Sequence, residues 1–279
     1  MCQFCVQHGD GKKWYLEAGN YAADLTSDLA RRGYMLDFIS DFDKHRAQCI
    51  AGLELLNAMP KPIREPIRRK VLTGFRENHF GQPVPLEDCE RIFDIATSIT
   101  RMPCVCRRFA ATRDEAWCMA VTVRPVDDVL AEGFGSMADG PDVSAFQHLT
   151  KAEAVAMLRD AEEHGLMHSV WTFMTPFIAA ICNCNDASGC MAMRLTRQLG
   201  TKIMWKGEYV AGVDAEACTG CRRCESRCPF GAIRWVAAEK RAEIDAGACW
   251  GCGVCRSACT ADAIALADRS AVPAVASDW

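Results

Sequence analysis

The chain has 279 residues, half of them hydrophobic, and a formal net charge of −4. That length leaves room for more than one domain with a sizeable core, and so small a charge gives no reason to expect a nucleic-acid partner. Eighteen cysteines are the outlier. Disulfide scaffolds are short secreted chains, and Met1-Cys2-Gln3 opens without a basic-then-apolar leader, so the expectation is a reducing, cytoplasmic setting with metal-bound thiolates.

Residues 1–13 read as a short leader carrying Cys2 and Cys5 in a C-x2-C pair. Residues 14 to about 100 read as helices, because Leu25, Leu29, Leu36, Ile39, Leu53 and Leu56 recur at helical spacing. Met59-Pro60-Lys61-Pro62 breaks that pattern, and a further helix is predicted from about Glu65 to Asn78. Lys61, Arg64, Arg68, Arg69, Lys70 and Arg76 make this stretch basic. It reads as a solvated helix face or as a surface for an acidic partner protein. Gly81-Gln82-Pro83-Val84-Pro85 reads as a linker before a helix over Leu86 to Thr100.

From Trp117 to Arg124 alternating apolar residues predict a short strand. Thr150-Lys151-Ala152-Glu153 has the form of a capping box before a helix ending near His164-Gly165. Strands are predicted around Met167–Phe173 and Phe177–Ile181. The apolar stretch from Phe173 to Cys182 carries Pro176 and is far shorter than the roughly 20 residues needed to cross a bilayer. No direct membrane span is expected. Gly133-Phe134-Gly135-Ser136-Met137-Ala138 lacks the third glycine of a dinucleotide fingerprint.

Ten cysteines precede residue 200. Cys49 and Cys89 stand alone on predicted helices and read as buried core thiols. The others are grouped: Cys104-Val105-Cys106, then Cys118, then Cys182-Asn183-Cys184, then Cys190. Cysteines at C-x-C spacing project close together from a loop or strand end. Cys104, Cys106, Cys118, Cys182, Cys184 and Cys190 are therefore candidates to hold an upstream cluster. With Cys2 and Cys5, eight thiols would serve two. A structural zinc or idle thiols are the alternative. Arg107 and Arg108 beside Cys106 are candidates to tune a cluster by charge and hydrogen bonds, or else a surface pair. His168 reads as a hydrogen-bonded structural histidine, with a ligand role as the alternative.

The C-terminal part carries the most specific pattern. Cys218, Cys221, Cys224 and Cys228, followed by Pro229, form one C-x2-C-x2-C-x3-C run. Cys249, Cys252, Cys255 and Cys259 form another, with Thr260 in place of the proline. This is the spacing of a two-cluster bacterial ferredoxin, in which the fourth cysteine of each run reaches across to the other cluster. The expected ligand sets are Cys218, Cys221, Cys224 and Cys259 for one [4Fe-4S] cluster, and Cys249, Cys252, Cys255 and Cys228 for the other. Paired zinc sites do not explain a repeated four-cysteine run. Cys218-Thr219-Gly220-Cys221 matches Cys249-Trp250-Gly251-Cys252, so a pseudo-twofold internal repeat is expected. Asp214 to Arg269 holds eight acidic and eight basic residues, a net of zero. That fits a module held against a partner better than a mobile acidic carrier. The apolar tail from Ala271 to Trp279 reads as a docking or fraying segment.

Met102-Pro103-Cys104-Val105-Cys106-Arg107, Glu163-His164-Gly165-Leu166-Met167-His168-Ser169-Val170 and Ile181-Cys182-Asn183-Cys184 together resemble a family of bacterial and archaeal multi-cluster iron–sulfur proteins. In that family a CxCR segment, a GLVHS helix end and an ICNC segment precede a dicluster ferredoxin module. Members often carry a denser cysteine run after ICNC; here Asn185 to Gly189 stand before Cys190. The resemblance implies electron transfer alongside other redox subunits, flavin- or metal-containing, and names no substrate.

The expected fold is α+β: a helical N-terminal region over 1–100, a small α+β cysteine-rich region over 101–212, a dicluster ferredoxin-like domain over 213–270 and a tail over 271–279. The expected function is that of an electron-transfer subunit of a larger cytoplasmic oxidoreductase, with two [4Fe-4S] clusters and one or two more upstream. A reductase with its own open-site upstream cluster, or a redox sensor, are the alternatives.

Overall fold

A computed structural model describes residues 13–111, 115–137, 146–186 and 189–279; Cys2 and Cys5 lie outside the described residues. Two 3-10 turns, Trp14–Leu16 and Ala18–Tyr21, lead into helices α1 (Ala23–Ser27), α2 (Leu29–Ser40), α3 (Phe42–Ala58) and α4 (Lys61–Asn78). Asp28 caps α2 by accepting a 2.7 Å hydrogen bond from the Arg31 N–H. Pro62 sits in the first turn of α4, where a missing N–H leaves no bond unmade. Ile39, Leu53 and Leu56 are buried, but Leu29 is 84% exposed. It opens α2 and points away from the side of the helix that carries Met35 and Ile39.

Six strands spread over residues 81–184 join in one sheet, with helices between them. Strands β1 (Gly81–Pro83), β2 (Ser98–Met102), β3 (Cys118–Thr122), β4 (Gln147–His148), β5 (Met167–Thr172) and β6 (Ile178–Cys184) lie in the order β1-β5-β6-β3-β2-β4. All their pairings are antiparallel. The segment read as a linker at residues 81–85 is largely strand β1, paired Gly81 to Trp171 and Pro83 to Ser169. Pro83 is tolerated because β1 is the edge strand. Gly81 is required because a Cβ there would stand 2.5 Å from the Trp171 ring. Helix α5 (Leu86–Ile95) stops short of Thr100, which belongs to β2.

Period-2 alternation divides the strand side chains between two faces. Met119, Val121, Val170 and Ile181 pack against Ile92 and Phe93 of α5 and Leu158 of α8 (Lys151–Glu163), together with Trp14, Tyr15 and Tyr21. The opposite face, bearing Cys118, Ala120, Ala180, Cys182 and Cys184, looks toward α2, α3, α4 and two more helices, α6 (Val105–Ala111) and α7 (Asp127–Gly135). The capping box at Thr150 forms as expected, and the chain leaves α8 through Gly165 with φ +72°. Beyond the sheet, α9 (Met191–Met193) runs on into a π-helical turn over Arg194–Gln198.

The C-terminal part consists of two small antiparallel ribbons. β7 (Tyr209–Val213) pairs with β10 (Ile264–Asp268), and β8 (Ile233–Val236) pairs with β9 (Arg241–Ile244). A short helix, α10 (Arg223–Arg227), follows the first cysteine loop. In the second cysteine loop the chain makes successive turns, with Arg256 N–H on Gly253 O and Cys259 N–H on Arg256 O, both 2.9 Å. The tail folds back: Val275 is buried, and the Arg269 guanidinium lies 5.9 Å over the Trp279 ring.

Several contacts tie this part to α5 and to β1. Arg256 grips Glu87 of α5 in two-pronged fashion at 2.6 and 2.7 Å. Tyr209 donates to Asp88 at 2.8 Å, and Gln82 of β1 donates to Glu208 at 3.1 Å. Within the C-terminal part, fully buried Arg269 donates to the carbonyls of Gly207, Tyr209 and Cys249. The overall class is mixed α+β with a C-terminal dicluster ferredoxin domain.

Candidate metal centres

The C-terminal cysteine loops are shaped by two glycines that no other residue could replace without strain. Gly220 and Gly251 hold φ +70° and +71°, and a Cβ would come 2.5 Å from the Lys240 carbonyl oxygen and 2.1 Å from that of Tyr209. Each loop is entered through the same turn. Asp214 Oδ1 accepts from the N–H groups of Glu216 and Ala217, and Asp245 Oδ1 accepts from those of Gly247 and Ala248. The last cysteine of each run also receives a matching bond, from Ala232 N–H to Cys228 Sγ and from Ala263 N–H to Cys259 Sγ, both 3.3 Å.

Cys218, Cys221 and Cys224 meet Cys259, not Cys228, around a small cavity of about 20 Å³. Burial pushes the Cys224 thiol up, and Cys221, Cys259 and Cys218 crowd it further. Burial likewise pushes Cys252 up, with Cys255, Cys249 and Cys228 adding to it. Cys255 is raised to about 12 by burial and then by Cys249 and Cys228. Thiols that raise one another in this way are stable as thiolates only with positive charge among them, so this donor set fits an iron–sulfur group. Cys221 differs: it is exposed, and the Arg223 N–H lowers its pKa. Cys249 Sγ accepts from Ala211 and Gly251 N–H groups at 3.4 Å.

The six grouped upstream cysteines come together. Cys104, Cys106, Cys118, Cys182, Cys184 and Cys190 all line one chamber of about 650 Å³ on the helical side of the sheet. Cys182 and Cys184 share a face because they are two apart on β6. Cys118 joins them from β3, its sulfur 3.7 Å from that of Cys182 and 3.5 Å from that of Cys104. Cys104 Sγ also accepts from the Trp117 N–H at 3.1 Å. Its hydrogen bond with Cys118, then burial, pushes the Cys104 thiol far up. Cys106 is raised to about 12 by burial and by Cys184, and Cys184 is raised chiefly by its hydrogen bond with Cys190. A crowd of soft, buried donors fits a cluster here by the same argument. No three His, Cys, Asp or Glu side chains among the described residues converge as they would on a single metal ion.

Arg107 is 2% exposed and also lines the chamber. Its guanidinium pairs with Glu115 and donates to the Asn183 carbonyl at 2.8 Å. Burial works against its charge, while Cys184 and Cys104 favour it. Arg108 does not line the chamber. His168 is fully buried on β5, with Nδ1 2.6 Å from Asn183 Oδ1, in the structural role expected for it. Cys89 is core, but Cys49 lines the chamber with the other six. Nothing in the sequence marks Cys49, which stands alone on α3. Nor does anything mark His79, whose ring also lines the chamber.

The second ferredoxin set and the chamber share one apolar core. Cys252 and Val254 pack in the same cluster as Cys184, Cys190 and Met193, with Cys228 and Trp250 against it. Phe230 and Trp250 stack there at 4.7 Å.

No helix among the described residues is long and apolar enough to cross a membrane. A comparison with curated proteins gives no match. A family model described as a 4Fe-4S dicluster domain matches residues 217–263. The chain thus ends in a ferredoxin-type module that binds [4Fe-4S] cofactor and supports iron–sulfur electron transfer.

Proposed function

We propose that the chain is an electron-transfer subunit of a larger cytoplasmic oxidoreductase, relaying single electrons between two ferredoxin-type clusters and one upstream cluster. Cys218, Cys221, Cys224 and Cys259 hold the first, and Cys249, Cys252, Cys255 and Cys228 the second. Four of the six chamber cysteines hold the third. A bound cluster supplies one-electron chemistry; the protein sets its spacing, burial and hydrogen bonds. Ala211, Gly251, Ala232 and Ala263 direct N–H groups at ligand sulfurs, and Arg107 places positive charge beside the chamber thiols. The observation that carries this reading is the shared core of Cys252, Cys184 and Cys190. Through it a thiol of the second ferredoxin set shares a core with two chamber thiols, while Cys221 of the first set is exposed.

Iron and acid-labile sulfide per chain, measured on protein purified without oxygen, test it. About twelve of each is expected. About eight would leave the upstream thiols without a cluster and sink the relay. A second reading, a reductase acting at the upstream site, is favoured by the size of the chamber, which far exceeds the cavity among the first ferredoxin thiols.

A further inference from the structure

The chamber has two unlike ends. Along its floor the strands place Cys118 and Cys182 first, then the cross-strand pair Ala120 and Ala180, then Trp171 opposite Ala180. Alanine side chains leave that middle floor recessed. At the far end His79, Phe38, Trp171 and Phe173 form an aromatic group. His79 stacks on Trp171 at 5.1 Å and lies 4.5 Å from Phe38 and 4.9 Å from Phe173. The roof is α4, whose inward residues Val71, Gly74 and Phe75 line the chamber, and a Cβ added at Gly74 would meet nothing within 4 Å. Exposed Asp37 and His45 also line it and mark its mouth.

The size argues for an occupant besides a cluster. The cavity that the first ferredoxin set helps to line is about 20 Å³, against about 650 Å³ here. Small-molecule sites span about 300–1,000 Å³ and are apolar with a few polar groups. Away from the cysteines and Arg107, the interior polar groups are few, and His79 is one of them. Its Nδ1 lies 2.7 Å from the Thr172 carbonyl oxygen, which can only accept, so Nδ1 carries the proton and Nε2 is left as an acceptor. Burial holds the ring neutral, its pKa down at about 4.

We propose that the aromatic end of the chamber binds an uncharged, flat aromatic molecule bearing a hydroxyl group, a phenol or quinol, lying on the Ala120–Ala180 floor with its hydroxyl toward His79. This deepens the second reading above by naming the class of molecule brought beside the upstream thiols.

The probe is 2-naphthol, followed by equilibrium dialysis against the full, iron-loaded chain under anaerobic conditions. Saturable uptake of about one molecule per chain is expected. Naphthalene-2-sulfonate should bind about tenfold more weakly or worse, because its charge would be buried unpaired. Gly74→Trp fills the empty space under α4 and should weaken 2-naphthol by about tenfold or more while iron content stays unchanged. His79→Phe keeps the ring and removes the acceptor; it should weaken 2-naphthol about fivefold and leave plain naphthalene unaffected. Unsaturable uptake, equal binding of the sulfonate, or wild-type affinity in Gly74→Trp would each overturn the proposal. If Gly74→Trp loses iron, the His79→Phe comparison decides. Iron measured on the same sample separates the two claims. About eight iron with naphthol bound removes the upstream cluster and keeps the ligand site, whereas about twelve without naphthol does the reverse.

Discussion

At Gly251 a single missing side chain lets the second cysteine loop close against Tyr209. With φ +71° and a Cβ position 2.1 Å from the Tyr209 carbonyl oxygen, Gly251→Ala combines backbone strain with a backbone clash. A loss of about 3 kcal/mol is expected, read as an earlier urea midpoint together with bleaching of the visible cluster absorbance. Glu208 makes a different demand. It is 1% exposed, and burial pushes its carboxyl up to about 7, against the opposing hydrogen bond from Gln82. Between pH 4.5 and about 7 the folded chain keeps a proton that the unfolded chain has released. Stability from this group is therefore full below that window and declines as pH rises through it. Between pH 5.5 and 8 the wild type should lose about 2 kcal/mol that Glu208→Gln does not, measured as the difference in their melting shifts.

Helix α8 is the element most fully specified by its own residues. Thr150 and Glu153 exchange bonds across its first turn, and Thr150→Ala should cost about 1 kcal/mol in thermal or denaturant unfolding. Because that box is local, it was legible in the sequence, as were the strand at Cys118–Thr122 and the strand pair leading into Cys184. Strand β1 was not legible. Gly81-Gln82-Pro83 has the composition of a loop, and only its remote partner β5 and the Trp171 ring make it a buried edge. The chamber lies between these cases. C-x-C spacing announces thiols on one face of a strand. The meeting of Cys118 with Cys182 depends on the β3–β6 register, which joins residues far apart in sequence. Cys49 reaches the chamber through the packing of α3 and His79 from the end of α4 through its contacts with β5, and neither carries a local signal. The ferredoxin runs were the most legible feature, since their glycines, Asx turns and cysteines lie within a few residues of one another.

Across the molecule as a whole, Cys221 is exposed, Cys252 is buried, and Cys252 shares a core with the chamber thiols Cys184 and Cys190, so the proposed relay would run in that order. Cys252→Ser tests that order. It should lower the spin count by about one cluster and slow reduction of any upstream centre more than tenfold, followed by electron paramagnetic resonance and stopped-flow absorbance. Loss of one cluster without slower upstream reduction would mean that electrons do not pass through this point. The sheet order β1-β5-β6-β3-β2-β4 also carries a consequence for how the protein is made. On the ribosome β2 and β3 emerge early, but β1 gains its ladder partner only with β5, and the chamber floor waits for β6. Cys104, Cys106 and Cys118 therefore leave the exit tunnel ahead of Cys182, Cys184 and Cys190, which line the same chamber. The last residue to line the chamber is Ile203, ahead of the first ferredoxin cysteine. The residues that line the chamber therefore leave the tunnel before those of the dicluster module, so the two parts are built in succession, the upstream one first.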